Sequence, residues 1–417
     1  MKIAVIGAGI VGVTTAYELA RDGHAVTVFE RRGAAAEETS FANAGIIAPG
    51  YVTPWAAPGM PGKVLGQILH RHASIRMAWP LGMDDLRWAW KWYRACQLDT
   101  YLSNRAHMRR LAFYSRARLH AIRDDLRLEY DRSDGYLVLL RTDRDLHLVQ
   151  PSLQVLREAG VAFRVLEPDQ ARLVEPALES ETTFIAGVQL PDDEVGNCRQ
   201  FALLLKNAAQ RIGVQFRFNT AVQSVAAGSQ PSVQVQGEPQ TTAFDAVVMC
   251  AGVASTRLLQ PVGITLPLVP VYGYSLSASI KEPLNAPRSA VMDEHYKVAI
   301  TRMGNRIRVA GGAELGGNAN EKRQAPLRTL YKVLQDWFPG AASRSGGIQE
   351  WKGARPMLPD GPPLVCASGA TGLWLNVGHG SSGWALACGS ARALADQIGD
   401  RPPDLDMKGF DLARLQR

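Results

Sequence analysis

The sequence predicts an α/β fold: a discontinuous Rossmann-like dinucleotide-binding domain, with a second α+β domain on a mixed or antiparallel sheet threaded through it. Three observations carry this expectation. A glycine-rich turn, Gly7-Ala8-Gly9-Ile10-Val11-Gly12, separates an apolar strand from a helix at the N-terminus, the arrangement that lets backbone approach a pyrophosphate. A buried strand, Phe244 to Cys250, runs into Ala251-Gly252 in mid-chain. Another, Leu373 to Val377, runs into Gly378-His379-Gly380 near the end.

In chain order, Lys2 to Gly7 is a β-rich run, and Val13 to Arg21 places Val13, Ala16, Tyr17 and Ala20 on one helical face. Ala25 to Glu30 is a second strand that ends in an acid. Pro49 to Pro61 holds four prolines and reads as loop. Leu81 to Arg127 reads as mostly helical, Tyr136 to Leu140 as a strand, and a short helix opens at Asp169 after the Glu167-Pro168 break. Cys198 to Ile212 is a helix closed by Gly213, followed by a strand from Val214 to Phe218. Strand-like runs return at Tyr272–Leu276, Lys297–Ile300 and Arg306–Val309, and Ser381 to Gln397 is a helix. The predicted division assigns 1–50, 195–265 and 345–417 to the nucleotide domain and 51–194 and 266–344 to the second domain.

The 417 residues are about three times a ~150-residue domain, and 46% hydrophobic with 20% charged residues excludes bulk disorder. Five scattered cysteines, never in C-x-x-C spacing, argue against a disulfide framework or a thiolate zinc site, and no metal is expected. No apolar run reaches the ~18 residues of a membrane span. The N-terminus reads as a folded strand, not a secretion signal, so a cytoplasmic location is expected.

The net charge of +7 is unevenly placed. Between Lys63 and Arg123, twelve basic residues, Arg71 among them, face three acids. Trp79, Trp88, Trp90 and Trp92 interleave there with Arg87, Lys91 and Arg94. Such a segment either lies on anionic headgroups or packs its tryptophans inside and leaves its arginines solvated. It carries no nucleic-acid reading motif, and no nucleic-acid partner is expected.

The motifs define a chemistry. Gly7 permits the tight turn, Gly9 the close approach of a pyrophosphate, and Gly12 close packing of helix on sheet. The helix N-terminus then offers unpaired N–H groups to phosphates. Glu30, eighteen residues past Gly12, is placed to accept ribose hydroxyls and to repel a 2′-phosphate. Thr39-Ser40-Phe41-Ala42-Asn43-Ala44-Gly45 is a small polar loop able to donate to a diphosphate and a flavin, or simply a helix cap at Thr39 or Ser40. Gly378-His379-Gly380-Ser381-Ser382-Gly383 sits between a strand and a helix, either an ordinary turn or a dipole aimed at a reducible ring. Arg355, rigidly held in Gly353-Ala354-Arg355-Pro356, suits a substrate carboxylate or a structural ion pair. Tyr272 and Tyr274 alternate along one strand and share a face, lining either a pocket or core.

Together, IAVIGAGIVGVTTAYELA, ETSFANAG, PGY with PWAAPG, DEHYKVAITR, RIRVAGGAEL, GARPMLPDGPP and LNVGHGSSGWALACGS resemble the FAD-dependent D-amino-acid oxidase superfamily over nearly the whole chain. The likeness is greatest to its bacterial dehydrogenase branch. The resemblance implies non-covalent FAD, since no cysteine follows the GARP segment where sarcosine oxidases attach flavin. Gly7, Ala8, Gly9, Ile10, Val11, Gly12, Glu30 and Arg31 would hold the ADP half. Ser40, Ala42, Asn43, Ala44 and Gly45 would hold the diphosphate and flavin, with Val222 near the adenine and Ala251 and Gly252 near the phosphates. Gly353 and Gly378 through Gly383 would lie by the isoalloxazine. Arg355 would grip the carboxylate of a small zwitterionic amino acid. Tyr272, Tyr274 and Tyr296 would be the active-site tyrosines, and His379 a flavin-positioning residue or an acid/base.

The implied reaction is oxidative deamination of D-amino acids to 2-oxo acids and ammonia. Electrons would pass to a quinone or another respiratory acceptor, and the 63–123 segment would touch the inner face of the bacterial plasma membrane. Ile46-Ile47-Ala48 departs from the more polar pattern of that branch, which keeps D-proline or D-hydroxyproline dehydrogenation and a glycine-oxidase-like activity open. A non-catalytic FAD-binding module is the alternative of a different class.

Overall fold

The computed structural model describes residues 1–67, 72–79, 81–343 and 347–416. Arg71 of the cationic segment and the predicted domain boundary at 345 lie outside these residues. The first of two large sheets has the strand order Leu364–Ala367, Leu373–Val377, Ala246–Met249, Lys2–Ile6, Ala25–Phe29, Gln215–Arg217. All neighbours are parallel except the edge strand Leu364–Ala367. Its central strands are continuous apolar runs because both faces are covered. Helices Ile10–Arg21, Cys198–Arg211 and Gly383–Ile398 pack one face through Val13, Leu19, Phe201, Leu205, Leu386 and Leu394. A three-stranded antiparallel meander, Val222–Ala226, Ser232–Val235 and Thr241–Ala243, contributes to the core on the other side.

The second sheet is mixed. Its order is Gln349–Met357, Val269–Ser279, Arg306–Gly316, Val298–Met303, Ala290–Asp293, Arg132–Leu140, Ala186–Gly196, Ile46–Ile47. One parallel pair, Ala290–Asp293 with Arg132–Leu140, interrupts an otherwise antiparallel path. Side chains alternate between faces along each strand. Tyr274, Leu276, Ala278, Ile300, Ile307 and Val309 join Leu327, Leu330 and Trp337 of helix Gln324–Trp337 in one core. The opposite face carries Gly273, Ser275, Ser277, Arg308 and Arg355, and it fronts the glycine loops of the first sheet.

The architecture departs from the predicted division in two places. Strand Gln349–Met357 is part of the second sheet, because it pairs along Val269–Ser279 from Val269↔Met357 to Ser277↔Gln349. The 29-residue helix Leu98–Leu126, predicted to belong to the second domain, buries Met108, Leu111, Ala112, Leu119 and Ile122 in the core of the first. Its Arg118 also meets Glu18 at 2.6 Å, and Glu18 in turn meets Arg392 at 2.7 Å. A helix with an apolar stripe does not announce which sheet it will cover.

The cationic segment divides as well. Trp88 and Trp92 stack at 6.4 Å, and Trp88 Nε1 donates to Met357 O at 3.0 Å, so this pair is internal. Trp79 and Trp90, at 77% and 62% exposure, stand outside with Met83, Leu86 and Tyr93.

Candidate active site

The N-terminal turn admits no side chains at its key points. Gly7 has φ +103°, and a Cβ there would lie 2.7 Å from Cys250 O; one at Gly12 would fall inside contact with Gly7 O. The helix that follows begins at Ile10, whose N–H donates to Ser40 Oγ at 3.0 Å. Glu30 stands just past strand Ala25–Phe29 and accepts from Ala8 N–H at 2.7 Å and Arg32 N–H at 2.8 Å. Its carboxylate is thereby fixed at the mouth of the turn. Arg31 faces Glu38 bidentately, both bonds at 2.7 Å, so its fork is occupied within the protein. Val222 is buried at the start of the meander. Gly252, at φ +56°, has nothing within 4 Å of its Cβ position, which leaves open space beside the turn.

The polar loop after Glu38 is braced by the second sheet and by helix Gly383–Ile398. Thr39 Oγ1 donates to Ala354 O at 2.6 Å, and Asn43 Oδ1 accepts from Gly45 N–H at 3.1 Å. Gly45 O accepts from Gly196 N–H at 2.8 Å and from Trp384 Nε1 at 3.2 Å. At φ +77°, a Cβ on Gly45 would lie 2.8 Å from Gly196 O. Phe41 stacks on Trp351 at 6.4 Å. Ala42 is buried, and the Ile46-Ile47-Ala48 segment that follows forms a short strand with Ile47 and Ala48 buried.

Arg355 lies on the sheet face that fronts this loop. Its Nη1 donates to Gly312 O at 2.8 Å, and among the described residues no carboxylate pairs with it. Burial alone pulls its pKa down to about 10, the mark of a guanidinium without a counter-ion. Its head lies across Gly273, where a Cβ would come within 2.5 Å of Cζ. The Trp55 ring centroid is 5.7 Å away, and Trp55 Nε1 donates to Ser381 Oγ at 3.2 Å. The structural ion pair left open by the sequence is not formed. What remains is a desolvated cation with free donors.

The three tyrosines do not join it. The register pairs Val271 with Arg355 but Tyr272 with Ala354 and Tyr274 with Lys352. Directly paired residues share a face and sequence neighbours do not, so Tyr272 and Tyr274 project from the side opposite Arg355. Tyr274 OH donates to Glu314 Oε2 at 3.0 Å within the helix-covered core, and Lys352 Nζ sits 4.2 Å from the Tyr272 ring and 2.8 Å from Glu314 Oε1. Tyr296 packs against that same core, between Arg141 and Lys332. The expected set of active-site tyrosines is corrected on this ground.

His379 is buried, with Nε2 2.9 Å from Ser390 Oγ, and burial drives its pKa down to about 3. The imidazole is therefore neutral at physiological pH and packs within the protein. Its turn needs glycine: Gly378 and Gly380 have φ +81° and +56°, and Cβ atoms there would meet Leu358 and Met357. Gly353 leaves room for the Trp351 ring. Trp55, Gly273, Trp351 and Arg308 join the site without having been singled out by motif. The glycine between the two tyrosines was the one available signal, since a strand interior favours glycine only where something approaches closely.

A glycine turn that admits no Cβ at Gly7 and Gly12, a carboxylate at its mouth, a helix N-terminus opening at Ile10 and the open space beside Gly252 fit the ADP half of FAD. The model of the family "FAD dependent oxidoreductase" matches residues 2–397, and the chain belongs to that family. It is a flavin-dependent oxidoreductase. Among curated relatives, a D-amino acid dehydrogenase of Bradyrhizobium diazoefficiens is 42% identical, covering 99% of both chains. One of Cereibacter sphaeroides is 43% identical over 99% of this chain and 95% of its own. Among solved structures, glycine oxidase from Geobacillus kaustophilus superposes with a TM-score of 0.78 at 21% identity, covering 99% and 98% of the two chains. L-proline dehydrogenase from P. horikoshii gives 0.77 at 17%, covering 100% and 98%. At such identities the structural matches speak for the fold alone.

Proposed function

We propose that the chain oxidises D-amino acids to 2-oxo acids and ammonia, with non-covalently bound FAD seated between the two sheets and a quinone or other respiratory carrier as final acceptor. The observation that carries this reading is Arg355, a desolvated guanidinium with no carboxylate partner among the described residues, on the face that fronts the polar loop. The D-amino acid dehydrogenases related over their full length support the substrate class. Bound in this site, FAD would supply the hydride acceptor for the substrate Cα–H. Arg355 holds the carboxylate by its free donors and so aims the Cα–H. Gly273 keeps the floor beneath it low enough for the guanidinium to lie flat, and Gly312 O accepts from its Nη1. Desolvation beside Arg355 lowers the substrate ammonium pKa, and loss of that proton frees the lone pair that becomes the imine. Water then adds to the imine and releases ammonia. Trp55 and Trp351 flank this position and exclude bulk water from it.

The test is anaerobic addition of D-alanine or D-proline to the yellow holoprotein. Bleaching with release of ammonia supports the reading. An unchanged spectrum with every D-amino acid, alongside intact FAD binding, identifies a non-catalytic module. Oxygen and artificial-acceptor rates measured side by side separate dehydrogenase from oxidase.

For the acceptor side, no described helix is long and apolar enough to cross a membrane. The exposed Trp79, Met83, Leu86, Trp90 and Tyr93, beside the exposed Arg87 and Arg94, suit peripheral contact with anionic lipid at about 1 kcal/mol per basic residue. Vesicle co-sedimentation that is lost in a Trp79→Ser/Trp90→Ser variant supports this contact; equal binding to neutral and anionic vesicles removes it.

A further inference from the structure

A second guanidinium shares the face that carries Arg355. Arg308 pairs in register with Ser277 on one side and Thr301 on the other. It lies four residues along its strand from Gly312, the acceptor of Arg355, which at 3.3 Å per residue is about 13 Å. Between the two cations the floor is Gly273, Ala310 and Ser275, whose Oγ is buried without a partner. Arg308 has no carboxylate partner among the described residues. Its Nε donates to Ser277 Oγ at 3.0 Å and its Nη1 to Asn43 O at 3.1 Å. Burial lowers its pKa to about 10.

We propose that Arg308 is a positioning residue, which clamps the polar loop 40–45 of the FAD site to the sheet that bears Arg355 and so fixes the cofactor loop relative to the substrate anchor. The bond to Asn43 O is the central joint. Asn43 turns the chain back on Gly45 through its own side chain, and Gly45 O is held by Gly196 and Trp384. Met303, on the strand next to Arg308, presses against Gly45. The loop is thus held at Gly45 by the strand residue Gly196, the helix residue Trp384 and the Met303 side chain, at Thr39 by strand Gln349–Met357, and at Asn43 O by Arg308. A planar fork suits the task, because it reaches two neutral acceptors in different directions, which an ammonium at the end of a lysine does not.

The experiment measures the FAD dissociation constant by flavin fluorescence, with the visible spectrum of the bound cofactor, for Arg308→Met, Arg308→Lys and Ser277→Ala. The Met variant should bind FAD at least tenfold more weakly, the Lys variant should recover part of that loss, and Ser277→Ala, which removes one bond of two, should cost two- to fivefold. At saturating FAD, kcat should fall in the Met variant while the KM for the amino acid stays within threefold, because Arg355 is untouched. If Arg308→Met lowers the melting temperature yet binds FAD within twofold of wild type with an unchanged spectrum, Arg308 is merely structural and the proposal fails. Should the Met variant not fold, FAD affinities within twofold of wild type in both other variants overturn it equally. Cofactor affinity does not depend on which substrate is oxidised, so this result and the substrate assay fail separately.

Discussion

Replacing Arg355 by methionine tests the heart of the site, because the structure separates its effect on binding from its effect on folding. Among the described residues the guanidinium makes one hydrogen bond, with Gly312 O, and meets no carboxylate. Its removal therefore strands no buried carboxylate, the event that makes broken ion pairs so destabilising. The lost bond costs about 1 kcal/mol, and relief of an uncompensated buried charge offsets it, so the melting temperature should move by a few degrees at most. Substrate recognition loses its only proposed carboxylate anchor. Truncating one side of a buried, hydrogen-bonded charge pair costs about 2–5 kcal/mol, equivalent to about 30- to 5,000-fold in kcat/KM at 1.36 kcal/mol per decade. Arg355→Lys keeps the charge without the fork and should fall between. The assay is stopped-flow bleaching of the bound flavin by D-alanine under anaerobic conditions, beside thermal unfolding of the same samples. A methionine variant within threefold of wild-type kcat/KM refutes the anchor. One that loses both activity and fold refutes the claim that the guanidinium has no structural partner.

Three more expectations follow from the same geometry. Gly273→Ala places a Cβ within 2.5 Å of Arg355 Cζ and should push the guanidinium off its floor; kcat/KM should drop at least tenfold with FAD retained, and unaltered kinetics would mean the cation does not lie across Gly273. Tyr274→Phe removes a hydrogen bond to Glu314 on the opposite face, so unfolding should show a loss of about 1 kcal/mol while kcat/KM stays within twofold; a large kinetic defect would contradict the strand register. Asp193 and His379 should give opposite pH effects. Burial raises Asp193 to about 7, so the folded state keeps a proton that the unfolded chain releases from about pH 4, and this contribution to stability is lost as pH rises to about 7. Burial lowers His379 to about 3, so the unfolded chain takes up a proton below about pH 6.5 that the folded state refuses, and stability is lost as pH falls from there. Relative to wild type, Asp193→Asn should gain stability with rising pH and His379→Asn should lose it, each by up to about 1.4 kcal/mol per pH unit; parallel profiles from denaturant melts would dismiss both assignments.

The parts of the molecule legible in the sequence are those where a local rule decides the structure. The turn from Gly7 to Gly12 and the carboxylate at Glu30 are read within one βαβ unit, and the backbone there admits little else. Strand Leu373–Val377 is observed with the bounds read from sequence. Arg355 stood out because glycine and proline fix its strand. The errors share one physical origin: alternation tells which residues share a face without telling which face turns toward the site. Tyr272 and Tyr274 do lie together, as their spacing requires, but beside Lys352 and Glu314 and behind the sheet from Arg355. Helix Leu98–Leu126 shows the same gap one level up, since its apolar stripe is evident and its partner, the core under Ile10–Arg21 and Gly383–Ile398, is settled only by packing. Arg308 escaped notice for the complementary reason. Within R-I-R-V it is one cation of two at alternate positions, and only the sheet register brings it to Ser277 and Asn43, whereas Arg306 is exposed. A site built across two sheets is written in pairings between distant strands, so its local fragments can each be read correctly while the face they combine on remains undetermined until the strands are in register.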